Sequence, residues 1–295
     1  MCDGFVELSL LGGFVSVFCV VVWEGLLVGV LYFIVFVGPA GSGKSHLVDA
    51  FGDWLEFNEL SVARVNLDPA AEWLPYEPDI DVREYVDAGK VMEKYKLGPN
   101  GALVASIDML VSHVDDIRSE IESTRANYVL VDTPGQMELF AFRETGPQVL
   151  RMMLGDSRSV SVFLIDAVFA SNPASLASSV FLAFSTRLRL ALPQIVVISK
   201  ADLLPQRKME EIDAMLNDPA LLYDRLVGAG VDPLFAEAVT KAMEFLLPPE
   251  ASGSPQATRF VSAVSGYGLE DLYAVIQQVL VGGEDFYTEE PNPRL

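Results

Sequence analysis

Gly38-Pro39-Ala40-Gly41-Ser42-Gly43-Lys44-Ser45 is the stretch whose reading decides the fold. The pattern G-x-x-x-x-G-K-S carries meaning when a strand precedes it and a helix follows. Both are predicted here. Leu31-Tyr32-Phe33-Ile34-Val35-Phe36-Val37 is an unbroken apolar run, the pattern of a strand buried on both faces. Leu47, Val48, Phe51 and Leu55 then recur at helical spacing. Gly38, Gly41 and Gly43, with Ser42 between them, let backbone N–H groups turn inward around an anion. The start of the helix adds partial positive charge. Lys44 can reach the β- and γ-phosphates of a nucleotide, and the Ser45 hydroxyl can ligate Mg²⁺. His46 follows in the same first turn and is grouped with the nucleotide-binding residues. Neither it nor His113 belongs to a metal-ligand pattern.

Further strands follow, each ending in residues with a chemical use. Ser61–Leu67 reads as a strand running into Asn66-Leu67-Asp68-Pro69-Ala70. Asp68 is a candidate for positioning or activating a water; capping the turn beside Pro69 is the alternative. Asp79–Glu84 opens a short helix with carboxylates at its positive end. Gly98-Pro99-Asn100-Gly101 is a break, ordinary turn chemistry when taken alone. One amphipathic helix is expected after it, because Leu103, Ile107, Leu110, Val114, Ile117 and Ile121 alternate at four and three. Tyr128–Asp132 is a buried strand continuing into Thr133-Pro134-Gly135-Gln136. Asp132 stands where a carboxylate holds Mg²⁺, Gly135 permits close approach to a γ-phosphate, and Gln136 can orient the attacking water.

Ser159–Ile165 and Gln194–Ile198 are the next strands, with a long helix over Asn172–Leu190 between them. The second ends in Ser199-Lys200-Ala201-Asp202, which is similar to an Asn-Lys-x-Asp base-reading motif with serine in first place. A carboxylate at Asp202 can accept hydrogens from both N1 and the exocyclic amine of guanine. Adenine offers no such pair, so a buried carboxylate would be left unpartnered. Lys200 lies along the base plane in this reading. Leu204–Pro249 reads as two or three short helices inserted before the last strand, Arg259–Val261, which delivers Ser262-Ala263. Strands alternating with helices predict an α/β, three-layer, mostly parallel sheet of the P-loop NTPase class with that helical insertion. The site is expected at the carboxyl ends of the strands.

Composition narrows the function. The chain has 295 residues, 51% of them hydrophobic, and a formal charge of −21. So acidic a chain is a poor general binder of nucleic acid or anionic membrane. Two cysteines, Cys2 and Cys19, make neither a zinc spacing nor a disulfide framework, which fits a reducing cytoplasm. Residues 1–30 form a hydrophobic extension in which Glu24 is the only carboxylate or amine side chain after Leu8. Three readings stay open: a misplaced start upstream of the true one, a membrane anchor, or a packed extension. No Lys or Arg precedes Lys44, which speaks against an anchor or a signal segment. Residues 31–282 form the nucleotide domain, and 283–295 an acidic, proline-bearing tail.

Together these motifs resemble the GPN-loop GTPases. Asn66–Ala70 and Leu97-Gly98-Pro99-Asn100-Gly101, in order with Gly38–Ser45, Asp79–Arg83, Asp132–Gln136, Ser199–Asp202 and Ser262-Ala263, are the specific part of the match. The lack of a long tail after the core resembles the compact archaeal members. The resemblance implies Mg²⁺-dependent hydrolysis of GTP to GDP and phosphate. It also implies a homodimer in which Asn100 of one subunit reaches the phosphates of the other, and a cytoplasmic role in assembling a client protein complex. Eukaryotic relatives are linked to RNA polymerase. It further implies that Ser262 and Ala263 present a backbone N–H to the guanine carbonyl. Ser199 departs from the family's asparagine and would loosen one base contact; His46 stands where threonine is commoner. The alternatives are an ATPase of the related partner-sorting or metallocentre-maturation type and a non-hydrolysing nucleotide-binding scaffold.

Overall fold

The computed structural model describes residues 31–246 and 259–281. Its centre is an all-parallel sheet of seven strands in the order β3-β2-β4-β1-β5-β6-β7. The strands are β1 (Tyr32–Val37), β2 (Val62–Asn66), β3 (Ile80–Asp81), β4 (Tyr128–Asp132), β5 (Arg158–Asp166), β6 (Gln194–Ser199) and β7 (Arg259–Phe260). Every residue of β1 is buried. Successive side chains face opposite layers: Phe33, Val35 and Val37 join one apolar cluster, and Tyr32, Ile34 and Phe36 the other. That is why the run is continuously apolar rather than alternating.

The helices divide between the two faces. Helices α1 (Lys44–Phe57) and α13 (Leu269–Val281) pack on the face of Ile34 and Phe36. The opposite face carries α3 (Ala88–Tyr95), α4 (Pro99–Leu110), α5 (Val114–Thr124), α6 (Met137–Phe140), α7 (Thr145–Leu154) and α9 (Pro173–Leu190). It also carries the insertion, α10 (Gln206–Asn217), α11 (Pro219–Gly228) and α12 (Pro233–Leu246). Two single-turn helices, α2 (Val82–Tyr85) and α8 (Ala167–Ala170), follow β3 and β5 directly.

Three expectations are refined. The single helix over 103–121 is two, joined by a 3₁₀ turn at Val111–His113. The apolar spacing runs through the break because Leu110 and Val114 stay buried on either side of it. At the break the Ser112 hydroxyl bonds the Met109 carbonyl, competing with the helical ladder. Gly98-Pro99-Asn100 is not a free loop: Gly98 caps α4, and Pro99 and Asn100 are its first residues, proline having no N–H to leave unsatisfied there. The short helix after Asp79 exists, with Asp81 capping it through the Arg83 amide, but Ile80 and Asp81 first add an edge strand to β2. The extension at 1–30 and the tail at 283–295 lie outside the described residues. No helix among the described residues is long and apolar enough to cross a membrane.

Candidate functional site

Parallel register brings the strand ends into one row. Asp81 pairs with Asn66, Asn66 with Asp132, and Asp132 with Phe36. On the other side of β1, Asp166 pairs with Ser199. The phosphate loop leaves β1 in the middle of this row.

Gly43 holds φ +92°, a left-handed conformation that glycine adopts without strain, and starts α1 at Lys44. Lys44 is buried, and its Nζ donates to the carbonyl oxygens of Gly38 and Pro39 at 3.0 and 3.1 Å. Burial holds its pKa below the usual lysine value, while Asp132 and Asp68 pull the other way. Gly135 comes so close that a Cβ there would sit 3.2 Å from the Cα of Ala40 and 3.5 Å from Lys44 Nζ. Thr133 fixes this approach by donating to the Phe36 carbonyl at 2.7 Å.

Asp132 is buried at the end of β4. Burial pushes its carboxyl up to about 6, against the hydroxyl of Ser45, the charge of Lys44 and the hydroxyl of Tyr76. The Tyr76 hydroxyl donates to Asp132 Oδ2 at 3.2 Å, and Oδ1 is buried with no hydrogen-bond partner. Burial, and then the charge of Asp132, raise Tyr76 well above the usual phenol value. Ser45 and an orphaned carboxylate oxygen are hard oxygen donors, and they fit a Mg²⁺ ion that also holds phosphate oxygens. Among the described residues no three His, Cys, Asp or Glu side chains gather into a metal cage.

Asp68 does cap its turn, accepting the Ala70 amide at 2.9 Å. The same turn sets its carboxylate in the field of Lys44, with the Gly135 amide favouring its charge; burial nonetheless raises its pKa. The turn is braced from below. Asn66 accepts the Asp68 amide at 3.0 Å and donates to Asp81 Oδ1 at 2.9 Å. Arg83 grips Asp81 and donates to the Ala71 carbonyl at 2.8 Å. Burial works against the Asp81 charge, but the Arg83 hydrogen bonds prevail and hold its pKa low. Arg83 is thus committed to this brace. Gln136 is exposed just before α6, and His46 is exposed beside the Trp73 ring at 5.9 Å.

At the ends of β6 and β7 the groups are held by one another. The Lys200 stem lies 3.5 Å from the Cβ position of Gly43, and its Nζ donates to the Gly41 carbonyl and to Asp166 at 2.5 and 2.7 Å. Asp202 accepts from the Ser262 hydroxyl at 2.5 Å, and Ala263 follows in the same loop. Ser199 is buried and turned inward, donating to the Ser42 carbonyl at 2.7 Å. Lys44, Ser45, Asp68, Asp132 and Gly135 therefore meet at one end, and Lys200, Asp202 and Ser262 at the other, with the loop from Gly38 to Gly43 between. Asn100 is exposed at the start of α4 and joins neither group. Asn66, Asp81 and Arg83 stand in motifs that the sequence shows, but their mutual brace is not legible there, nor are the roles of Tyr76 and of the Asp166–Lys200 pair.

Comparison with known proteins agrees with this geometry. A family model described as a conserved hypothetical ATP binding protein matches residues 36–281. A GPN-loop GTPase of Pyrococcus abyssi is 37% identical over 242 residues, covering 81% of this chain and 93% of that protein. GPN-loop GTPase 1 of Dictyostelium discoideum is 30% identical over 256 residues; the match spans 86% of this chain but 62% of that protein's length. The crystal structure of a GTPase in apo form from Pyrococcus abyssi superposes with a TM-score of 0.72 at 34% identity, over 84% of this chain and 97% of that one. With its motifs in order on a matching fold, the chain belongs to the GPN-loop GTPase family.

Proposed function

We propose that this chain binds GTP with Mg²⁺ and hydrolyses it to GDP and phosphate. The observation that carries the reading is the pairing of two ends: buried Lys44 and Asp132 with half-buried Asp68 against the phosphate loop, and Asp202 held by Ser262 beside Lys200. Phosphate oxygens replace the Gly38 and Pro39 carbonyls as partners of Lys44. The backbone of Gly41, Ser42 and Gly43 cradles the β-phosphate. Asp202 accepts two hydrogens from guanine, and Ser262-Ala263 offer backbone donors to its carbonyl. Ser45 and Asp132 would hold Mg²⁺, directly or through water, and the ion would supply positive charge against the phosphate oxygens. Asp68 and Gln136 orient the water that attacks the γ-phosphorus in line with the leaving oxygen.

Charge also builds on the transferred phosphoryl group, and Asn100 meets it from a second copy of the chain. Support comes from the start of α4, where no side chain caps the helix and Pro99 has no N–H. The amides of Asn100 and Gly101 and the Asn100 side chain are thus a donor set available to an anion. A homodimer would bring each Asn100 to the partner's phosphates. The proposed setting is cytoplasmic, as a switch in the assembly of a client protein complex. ATP is the second reading, favoured by the description attached to the matching family model. Phosphate release from GTP and from ATP, each with Mg²⁺ and with chelator, separates the two. Release that needs GTP and Mg²⁺ supports the proposal. Equal rates on both nucleotides, or release from neither, refutes it.

A further inference from the structure

Tyr76 lies in the segment between β2 and β3, outside every nucleotide motif. Its side chain is buried, and its ring belongs to the same apolar cluster as Phe36, Leu47 and Phe51. A buried phenol, whose ordinary pKa is about 10, is a donor at neutral pH, and an ionised carboxylate only accepts. The 3.2 Å bond from its hydroxyl to Asp132 Oδ2 therefore has a fixed direction whenever Asp132 is charged. That bond occupies one carboxylate oxygen. The other, Oδ1, is buried with no hydrogen-bond partner, on a carboxylate that the Ser45 hydroxyl adjoins. An unsatisfied buried acceptor costs free energy until something fills it.

We infer that Tyr76 is the positioning residue of the metal site: by holding Oδ2 it locks the Asp132 carboxylate so that Oδ1 alone is presented to Mg²⁺. The inference rests on the assignment of Asp132 to the metal. Mg²⁺ demands near-octahedral geometry at short distances, whereas a carboxylate free to swing offers the bidentate grip that suits a larger ion. A donor on the far oxygen fixes the ligand's orientation, as outer-shell partners do at metal sites generally. Tyr76 does this from a rigid seat, since its ring is clamped in the core.

The test removes a single oxygen. Tyr76→Phe keeps the ring and its packing. Mn²⁺, a paramagnetic stand-in for Mg²⁺, is titrated into the GDP complex of the full chain and followed by electron paramagnetic resonance; GDP affinity is measured separately in chelator. The Mn²⁺ dissociation constant rises about tenfold, while metal-free GDP affinity holds. Unchanged Mn²⁺ affinity overturns the inference, and so does an equal loss of metal-free GDP affinity, which marks a general disturbance of the segment. Asp132→Asn run in parallel separates the layers. If it leaves Mn²⁺ affinity unchanged, the metal assignment falls and the role of Tyr76 with it. If it weakens Mn²⁺ while Tyr76→Phe does not, the role of Tyr76 alone falls.

Discussion

At the ends of β1, β2 and β4, charged side chains are buried or half-buried and incompletely partnered; at the ends of β6 and β7, the polar groups are partnered by one another. Burial works against the charges of Lys44, Asp68 and Asp132, and Asp132 keeps an oxygen with no hydrogen bond. Lys200 and Asp202, in contrast, hold Asp166, Gly41 and Ser262. The difference matches the two proposed tasks. A phosphate end prepared in advance for charge stabilises the reaction without reorganising, and the apo protein bears the electrostatic cost. A base end needs shape and donors that fit one partner and exclude another, and a satisfied network holds that shape.

Breaking the phosphate end should have the largest effect. Lys44→Ala removes the cation proposed to meet the β- and γ-phosphates, and GTP turnover is expected to fall about 1000-fold. Single-turnover phosphate release measures it. A loss under tenfold would mean that Lys44 is not at the chemistry.

Asp132→Asn should separate stability from activity. In the folded protein this carboxyl titrates near 6 instead of its unperturbed 3.8. As pH rises through that window the unfolded chain loses its proton first, so the stability present below the lower value is lost as the folded carboxyl ionises. The change amounts to about 3 kcal/mol at 1.36 kcal/mol per unit. The apo variant should therefore melt several degrees above the parent at pH 7.5, with the gap closing toward pH 4. Its Mg²⁺-dependent turnover should drop about 100-fold. A variant that melts lower at pH 7.5 would show that the charge is not a burden on the fold. At the base end, Asp202→Ala should leave the apo melting temperature unchanged.

Gln136→Leu sharpens the split within the phosphate end. Turnover should fall about tenfold or more with GTP affinity nearly kept, because an exposed side chain that only orients water contributes little to ground-state binding. If both Gln136→Leu and Asp68→Ala turn over at the parental rate, the water assignment is wrong.

The smallest effect is a recovery. Asn100→Ala and Lys44→Ala homodimers, each impaired, are mixed. If Asn100 acts across the dimer, one composite site per heterodimer keeps both groups, and each heterodimer regains up to about half of the parental activity per site. No recovery despite confirmed subunit exchange would place Asn100 in its own subunit's site or outside the site altogether.

Much of this was legible in the sequence, for physical reasons that differ by residue. Strands buried on both faces read as continuous apolar runs, so β1, β4, β5 and β6 stood out. The two-residue β3 had no such run, and its pairing depends on β2. The phosphate loop was legible because its backbone geometry demands glycine at fixed spacing. Asp132 was legible because it ends a buried strand and runs into Thr133-Pro134-Gly135-Gln136, and Asp202 because it closes Ser199-Lys200-Ala201-Asp202; Asp166 also ends a buried strand, yet it pairs with Lys200. Tyr76 was not: it reaches Asp132 across 56 positions of chain, through contacts that no local pattern encodes. Nor was the role of Ser199, which read as a weakened base contact. Its hydroxyl turns inward and ties β6 to the phosphate loop through the Ser42 carbonyl.

The central claim is that one end of the site reads guanine while the other hydrolyses. It is tested most directly by the specificity of Asp202→Asn. Losing a charged, paired hydrogen bond costs about 2–4 kcal/mol, or roughly 30- to 1000-fold. The measurement is kcat/KM for GTP, xanthosine triphosphate and ATP with parent and variant. The parent should prefer GTP over ATP. The variant should lose GTP by that factor and gain xanthosine triphosphate, whose carbonyl accepts from the new amide, with kcat on xanthosine triphosphate close to the parent's on GTP. Unchanged specificity in the variant, or a parent that uses ATP as well as GTP, would contradict the account.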